Sequence, residues 1–344
     1  MITIPPLTPE ILAELCAGLG GCEFQDHNQC EFLGSTASCD VQAVPGNGKT
    51  TLIVAKLALL SRTWTSRTEG VCVISHTNAA RREVEAKLAS HPAASAFLSY
   101  PHFVGTVTAF LDRFLALPYL RGLGWSIQRI DDDVFGAAAL VRYRTKPTLV
   151  ASARAQGGAR QHQVESWIAR MELAVDFEAR VGVPPDRLKI RSRNRQPGPH
   201  TDSGRELEAL KAELVSSGIY RFADMTAIAT QAVEKCPALI ERVRKRFPLV
   251  LLDEAQDTNG AQLELLNRLF SEGTAYQRLG DQNQTLYEDD EIPQGGYWRA
   301  GDDVIPLNQT RRFGEEIASF ASRLTARSPQ RIEGVVGQPS LTAS

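Results

Sequence analysis

The 344-residue sequence has almost no net charge, few cysteines and no long apolar run. A formal net charge of -2 at pH 7 argues neither for nor against nucleic acid, so any DNA-contacting surface must come from local patches. No apolar stretch approaches the roughly 20 residues of a membrane-spanning helix, and no basic start precedes a long apolar core. Secretion and membrane insertion are therefore disfavoured, and a cytoplasmic location is expected. Cys16, Cys22, Cys30 and Cys39, with His27 among them, lack the CxxC knuckles of structural zinc sites. Reduced thiols are expected there instead of a metal centre. No internal repeat is evident. With 43% apolar and 23% charged residues, the chain can bury a large core, and its length suits two packed domains with a fragment of a third.

The most informative segment present is AVPGNGKTT, Ala43 to Thr51. It lies between an apolar lead-in containing Val41 and a Gly- and Pro-free segment, LIVAKLALL, so the pattern reads strand, loop, helix. Gly46 and Gly48 let the backbone curl until successive N–H groups converge on phosphate oxygens at a helix N-terminus, with Asn47 and Thr51 completing the cradle. Lys49 would reach the β and γ phosphates, and the Thr50 hydroxyl would ligate Mg2+. A second segment, FPLVLLDEAQDTN, supplies the acids such a loop needs. Leu249 to Leu252 is too continuously apolar for an amphipathic helix and suits a strand buried on both faces. It ends in Asp253, placed to hold Mg2+, and Glu254, placed to accept a proton from the attacking water.

Further strand-to-helix passages occur at Val71 to Ser75 followed by 79–88, and from Phe103 onward. Together they predict a mostly parallel sheet covered by helices, with its functional edge at the strands' carboxyl ends. From about 116 to 221 the pattern changes. Pro118, Gly122 and Gly124 break the periodicity, and helices are predicted at 131–142, 161–179 and 204–216. Between the last two lies a basic, Pro- and Gly-punctuated stretch containing Arg191, Arg193 and Arg195, which can contact phosphates without reading bases or simply be solvated. A helix near 223–246 precedes the acidic strand, another is predicted at 260–270, and residues 324–344 read as a frayed tail. The expected organisation is a discontinuous nucleotide-binding lobe, 1–115 and 222–305, interrupted by a helical subdomain at 116–221 and followed by a further segment, 306–344.

These motifs, in this order from about 25 to 320, resemble the UvrD/Rep/PcrA-like superfamily 1 DNA helicases. The resemblance implies an α/β P-loop NTPase fold: a RecA-like parallel sheet, an inserted helical subdomain, and a second motor lobe that is only begun. It implies ATP and Mg2+ as cofactors, single-stranded DNA or a single-strand/duplex junction as partner, and 3′ to 5′ movement coupled to hydrolysis. Gln29 stands at the distance of the family's adenine-reading glutamine, where its amide can both accept and donate. HTNAARREV, residues 76–84, is similar to a DNA-contacting segment in which Thr77 and Asn78 bond to phosphates, although the same pair can cap a helix. GTVTAF supplies Thr106 and Thr108 to the next such segment, Thr108 replacing the usual histidine. In GDQNQTLYE, Gln284 would sense the γ phosphate and Tyr287 would join the coupling region. Arg312, in LNQTRRFG, aligns with the arginine that stabilises charge on the transferring phosphoryl group, with Arg311 beside it as the competing assignment.

The loop departs from the family in Val44 and Pro45, and the family's later motifs have no visible counterpart. Two functions therefore remain: an ATP-dependent DNA helicase or translocase, incomplete or completed by a partner subunit carrying the second lobe, or a non-enzymatic, ATP-responsive DNA-binding or assembly component.

Overall fold

Six short segments form the central sheet: β1 (Cys39–Ala43), β2 (Val71–Ser75), β3 (Phe103–Thr106), β4 (Leu249–Leu252), β5 (Ala275–Gly280) and β6 (Val304–Leu307). The computed structural model describes residues 2–20, 24, 26–155, 164–166, 168–173, 190–191, 200–284, 298–301, 303–325 and 330–335. Every pairing in the sheet is parallel, in the order β6-β1-β5-β4-β2-β3. Every residue of β2 and β4 is buried, as expected of parallel strands covered on both faces. The register places Val41 beside Leu279 and Ile305, and Val73 beside Leu251. The helix Lys49–Leu60 buries Lys49 and every residue from Leu52 onward, and its apolar side chains join Val41, Val73, Leu251, Leu279 and Leu307 in one core.

The chain divides into two compact units, Met1–Val107 with Glu241–Ser344, and Thr108–Ile240. The first carries the six-stranded sheet. The second has its own core, in which Phe135 and Ala139 of the helix Asp132–Tyr143 and Leu149 of Pro147–Arg154 pack on Leu207, Leu210 and Leu214 of Asp202–Ser216. Inside this unit the fully buried Lys211 and Asp224 pair at 2.6 Å. Asp224 also accepts from the backbone N–H groups of Leu173 and Arg221, and Lys211 lies over the Phe135 ring, so both buried charges are compensated.

Several expected elements take a different form. The helix expected near 223–246 is two helices, Phe222–Lys235 and Pro237–Arg246, because Pro237 cannot donate a helical hydrogen bond and begins a new helix after Cys236. Pro118 does not interrupt helix formation; it is the second residue of Leu117–Gly122. A π turn, Asp112–Ala116, joins that helix to Val107–Leu111. The helix expected over 161–179 does not persist through Glu172–Leu173, which pairs antiparallel with Ile190–Arg191; residues 174–189 lie outside the described part. The tail expected to fray holds Ile332 in a buried position, and Glu333–Gly334 pairs in parallel with Gln309–Thr310. No sequence pattern points to strand β6. It contains Pro306, which is tolerated because β6 is an edge of the sheet. Among the described residues no helix is long and apolar enough to cross a membrane.

Candidate active site

The carboxyl end of β1 turns sharply. Asn47 donates its N–H to the Val44 carbonyl at 3.2 Å, and Gly46 and Gly48 take φ values of 77° and 88°, the left-handed region that glycine enters without steric cost. At Gly46 a side chain is excluded for a second reason: its Cβ would collide with Cγ and Cδ of Arg312 and approach Thr310 Oγ1. The segment 309–312 braces this turn from outside. Asn47 Nδ2 donates to the Gln309 carbonyl at 2.9 Å, Thr310 Oγ1 donates to the Pro45 carbonyl at 2.7 Å, and the Arg311 N–H reaches the Gly46 carbonyl at 3.2 Å. The helix Lys49–Leu60 starts immediately after Gly48, so its unpaired N–H groups face out of the turn. The two candidate arginines thus differ: Arg311 contributes its backbone N–H, whereas the side chain of Arg312 lies against the glycine loop.

At the carboxyl end of β4, Asp253 donates its N–H to the Ile74 carbonyl of β2 and is 2% exposed. Burial, reinforced by the charge of Glu254 and opposed by Lys49, raises the Asp253 carboxyl from its usual value to about 7. Glu254 adopts φ 51°, and among the described residues it is the one non-glycine with a positive φ. That conformation is disfavoured for a residue with a Cβ, and strain of this kind concentrates at functional positions. It accompanies a carboxylate lying 3.5 Å from Lys49 Nζ, joining β4 to the glycine loop although β5 separates β4 from β1.

A chain of hydrogen bonds continues from Glu254. Gln256 Nε2 donates to Glu254 Oε2 at 2.8 Å, while Gln256 Oε1 accepts from the Asp281 N–H at 3.0 Å. Asp281 in turn accepts from Gln284 Nε2 at 2.7 Å and from Gln42 Nε2 at 3.5 Å. Gly280 makes the approach possible, since a Cβ there would lie 2.7 Å from both Gln256 Oε1 and the Trp298 ring. Lys49, Glu254 and Gln284 were singled out from sequence. Gln42 and Asp281 were not, and their signal is modest: one of two polar residues, with Asp40, in a short strand, and an acid directly after β5.

The remaining candidates divide by place. Thr50 and Thr51 open the Lys49–Leu60 helix, and Lys87 Nζ donates to Thr51 Oγ1 at 3.3 Å. Gln29 is buried on the short helix His27–Gly34, whose Asn28 side chain donates to the Pro306 carbonyl of β6. Thr77 uses its hydroxyl as the N-cap of Asn78–Ser90, accepting from the Ala80 N–H at 3.1 Å. Asn78 is exposed as the first residue of that helix, and Thr106 ends β3 in register with Ser75 at the end of β2, so both follow adjacent strands at the same edge. Thr108 lies in Val107–Leu111. Arg191 sits in a two-residue strand, while Arg193, Arg195 and Tyr287 lie outside the described residues.

Chemically, the loop offers N–H donors and a buried ammonium to an anion, and β4 offers a carboxylate to a cation. Among the described residues no group of three or more His, Cys, Asp or Glu could hold a metal alone. A cation brought in with phosphate oxygens, such as Mg2+, fits this donor set of a hydroxyl and a buried carboxylate. The buried, destabilised carboxylate of Asp253 fits that cation.

The family model described as UvrD/REP helicase N-terminal domain matches residues 23–288. The chain is 24% identical over 312 residues to the ATP-dependent DNA helicase Rep of Salmonella typhimurium, covering 88% of this chain and 43% of that protein. It is 26% identical over 142 residues to DNA helicase II of Haemophilus influenzae, 36% of this chain and 18% of the relative. A shorter stretch of 82 residues is 38% identical to the RecBCD enzyme subunit RecB of Mycobacterium tuberculosis, 24% of this chain and 7% of that subunit.

Proposed function

The chain belongs to the UvrD/REP helicase N-terminal domain family, and on that premise we propose that it is the first motor lobe of an ATP-dependent DNA helicase or translocase. The observation that carries this reading is the meeting of Lys49, Glu254 and Arg312 at one glycine loop, with the buried Asp253 beside Glu254. Lys49 and the loop N–H groups bind the β and γ phosphates of ATP, and Gln29 reads the adenine. Thr50 and Asp253 would hold Mg2+, which would supply neutralisation of phosphate charge when bound. Glu254, held by Lys49 and Gln256, accepts the proton of the attacking water, and Arg312 stabilises charge on the transferring group. The Gln256–Asp281–Gln284 relay then carries the loss of the γ phosphate away from the loop. Thr77, Asn78 and Thr106, at the ends of β2 and β3, contact single-stranded DNA phosphates.

The chain spans 43% of the length of the Rep protein of Salmonella typhimurium. Full coupling of hydrolysis to 3′ to 5′ movement accordingly needs a second lobe, on a continuation of this chain or on a partner subunit. Binding of a fluorescent ATP analogue with Mg2+, titrated in the presence and absence of single-stranded DNA, tests the reading. Lys49→Ala removes a charge-assisted contact to phosphate and should weaken affinity about 10- to 100-fold. Equal affinity in wild type and variant sinks the nucleotide assignment. Tight binding without DNA-stimulated hydrolysis, even when a second lobe is supplied, favours a nucleotide-responsive DNA-binding component instead.

A further inference from the structure

Strand β6 is an edge of the sheet, and its two sides meet different partners. The carbonyls of Asp303 and Leu307 accept from the N–H groups of Asp40 and Val44, at 3.2 and 3.0 Å. Carbonyls alternate in direction along a strand, so that of Pro306 faces the open side. Asn28 Nδ2 donates to it at 2.7 Å. A carbonyl only accepts, so the nitrogen of the Asn28 amide is the end that faces β6. Asn28 is the second residue of the helix His27–Gly34, and the side chain of the N-cap Asp26 accepts its backbone N–H at 3.0 Å. The next residue, Gln29, is the polar member of the stripe Gln29, Phe32 and Leu33 that this helix buries. Pro306 stands in register with Gln42, just before the chain turns at Val44 into the glycine loop. The Asn28 bond thus fastens the start of the Gln29 helix at the flank of that loop, while Lys56, from the helix that follows the loop, holds its other end.

We propose that Asn28 is a positioning residue for base selection: by clamping the start of its helix to the open edge of β6, it holds the Gln29 amide against the base of a nucleotide whose phosphates sit in the glycine loop. The proposal rests on the nucleotide reading above and on Gln29 as the adenine reader. It makes β6 a common support, since the segment beyond it braces the loop that takes phosphate and its open edge carries the helix that reads the base. Adenine offers a donor at N6 beside an acceptor at N7, whereas guanine offers acceptors at both O6 and N7. An amide held in one orientation pairs with the first and opposes the second; an amide free to swing away from O6 loses that contrast.

The test measures displacement of a fluorescent ATP analogue, with Mg2+ present, by ATP, GTP and inorganic triphosphate. It compares wild type, Lys49→Ala, Asn28→Ala, Asn28→Asp, Gln29→Ala, the Asn28→Ala/Gln29→Ala pair and, as a control on the same helix, the exposed Glu31→Gln. Wild type should prefer ATP to GTP. Asn28→Ala should lower that preference about three- to tenfold, the loss of one hydrogen bond, while affinity for inorganic triphosphate stays within about twofold of wild type. Asn28→Asp keeps the shape but has no side-chain N–H to give, so it should act as Asn28→Ala does, and Glu31→Gln should change nothing. In the double variant the Asn28→Ala effect should vanish, because the amide it positions is gone. An ATP preference near that of wild type in both Asn28 variants, or full additivity with Gln29→Ala, overturns the proposal and leaves the nucleotide reading intact. So does an equal loss of affinity for all three ligands, the mark of a bond that serves only the fold. Equal affinity for ATP and GTP in wild type, with triphosphate binding still weakened by Lys49→Ala, overturns the proposal and the Gln29 assignment but not the phosphate site. Absence of nucleotide binding in the wild-type protein overturns the nucleotide reading as well.

Discussion

Asp253 is the residue whose chemistry is most altered by its surroundings. Its carboxyl is raised from 3.8 to about 7 by burial first and by Glu254 second. A carboxyl raised in the fold contributes fully to stability below its unfolded value and loses that contribution as pH rises through about 7. The nucleotide-free protein therefore carries a destabilising charge at pH 8. Asp253→Asn keeps an acceptor for the Glu254 N–H and removes the charge, so it should stabilise the nucleotide-free protein by roughly 1–3 kcal/mol at pH 8 and hardly at pH 4. Urea unfolding at the two pH values checks this. The same substitution should abolish the extra stability that Mg2+ and nucleotide confer together on the wild type. On the proposed role of Asp253, stability and function pull in opposite directions at this one side chain.

Between elements, Lys56 plays a comparable part. It leaves the Lys49–Leu60 helix and donates to the carbonyls of Phe32 and Ser35, at 2.5 and 2.7 Å, satisfying the C-terminal end of the helix that carries Gln29. Burial lowers its ammonium from 10.5 to about 7. The unfolded chain then binds more protons between those values, and stability should rise with pH through that window. Relative to Lys56→Met, wild type should gain about 1 kcal/mol per pH unit between pH 7.5 and 9.5, measured by denaturant unfolding of both proteins. Elements of this kind were unequally legible in the sequence. Strands β2 and β4 announced themselves because a doubly covered parallel strand must be apolar throughout. Strand β6 did not, since Val304–Leu307 contains a proline and acquires meaning only beside a partner some 260 positions away. The site follows the same division. Lys49 and Asp253 stood in local motifs, whereas Gln42 and Asp281 come together only through the order of strands. Short-range spacing shows the first kind of residue and is silent on the second.

For the molecule as a whole, the sheet is closed by its most remote strand. Leu307 is fully buried in the same core as Val41 and Leu52, and the segment beyond it braces the glycine loop through Thr310 and Arg311. Leu307→Ala should cost about 2–5 kcal/mol, read as a lowered urea midpoint, and should weaken nucleotide binding even though residue 307 touches no phosphate in the proposed complex. Unchanged binding at a temperature where the variant remains folded would separate the loop from its brace. The strand order also has a consequence for biosynthesis. Strand β1 pairs on one side with residues 277–280 and on the other with 304–307, so a nascent chain must be translated to residues 277–280 before its first strand gains either neighbour. Until then an unpaired strand edge waits on the ribosome, a natural client for chaperones that shield such edges.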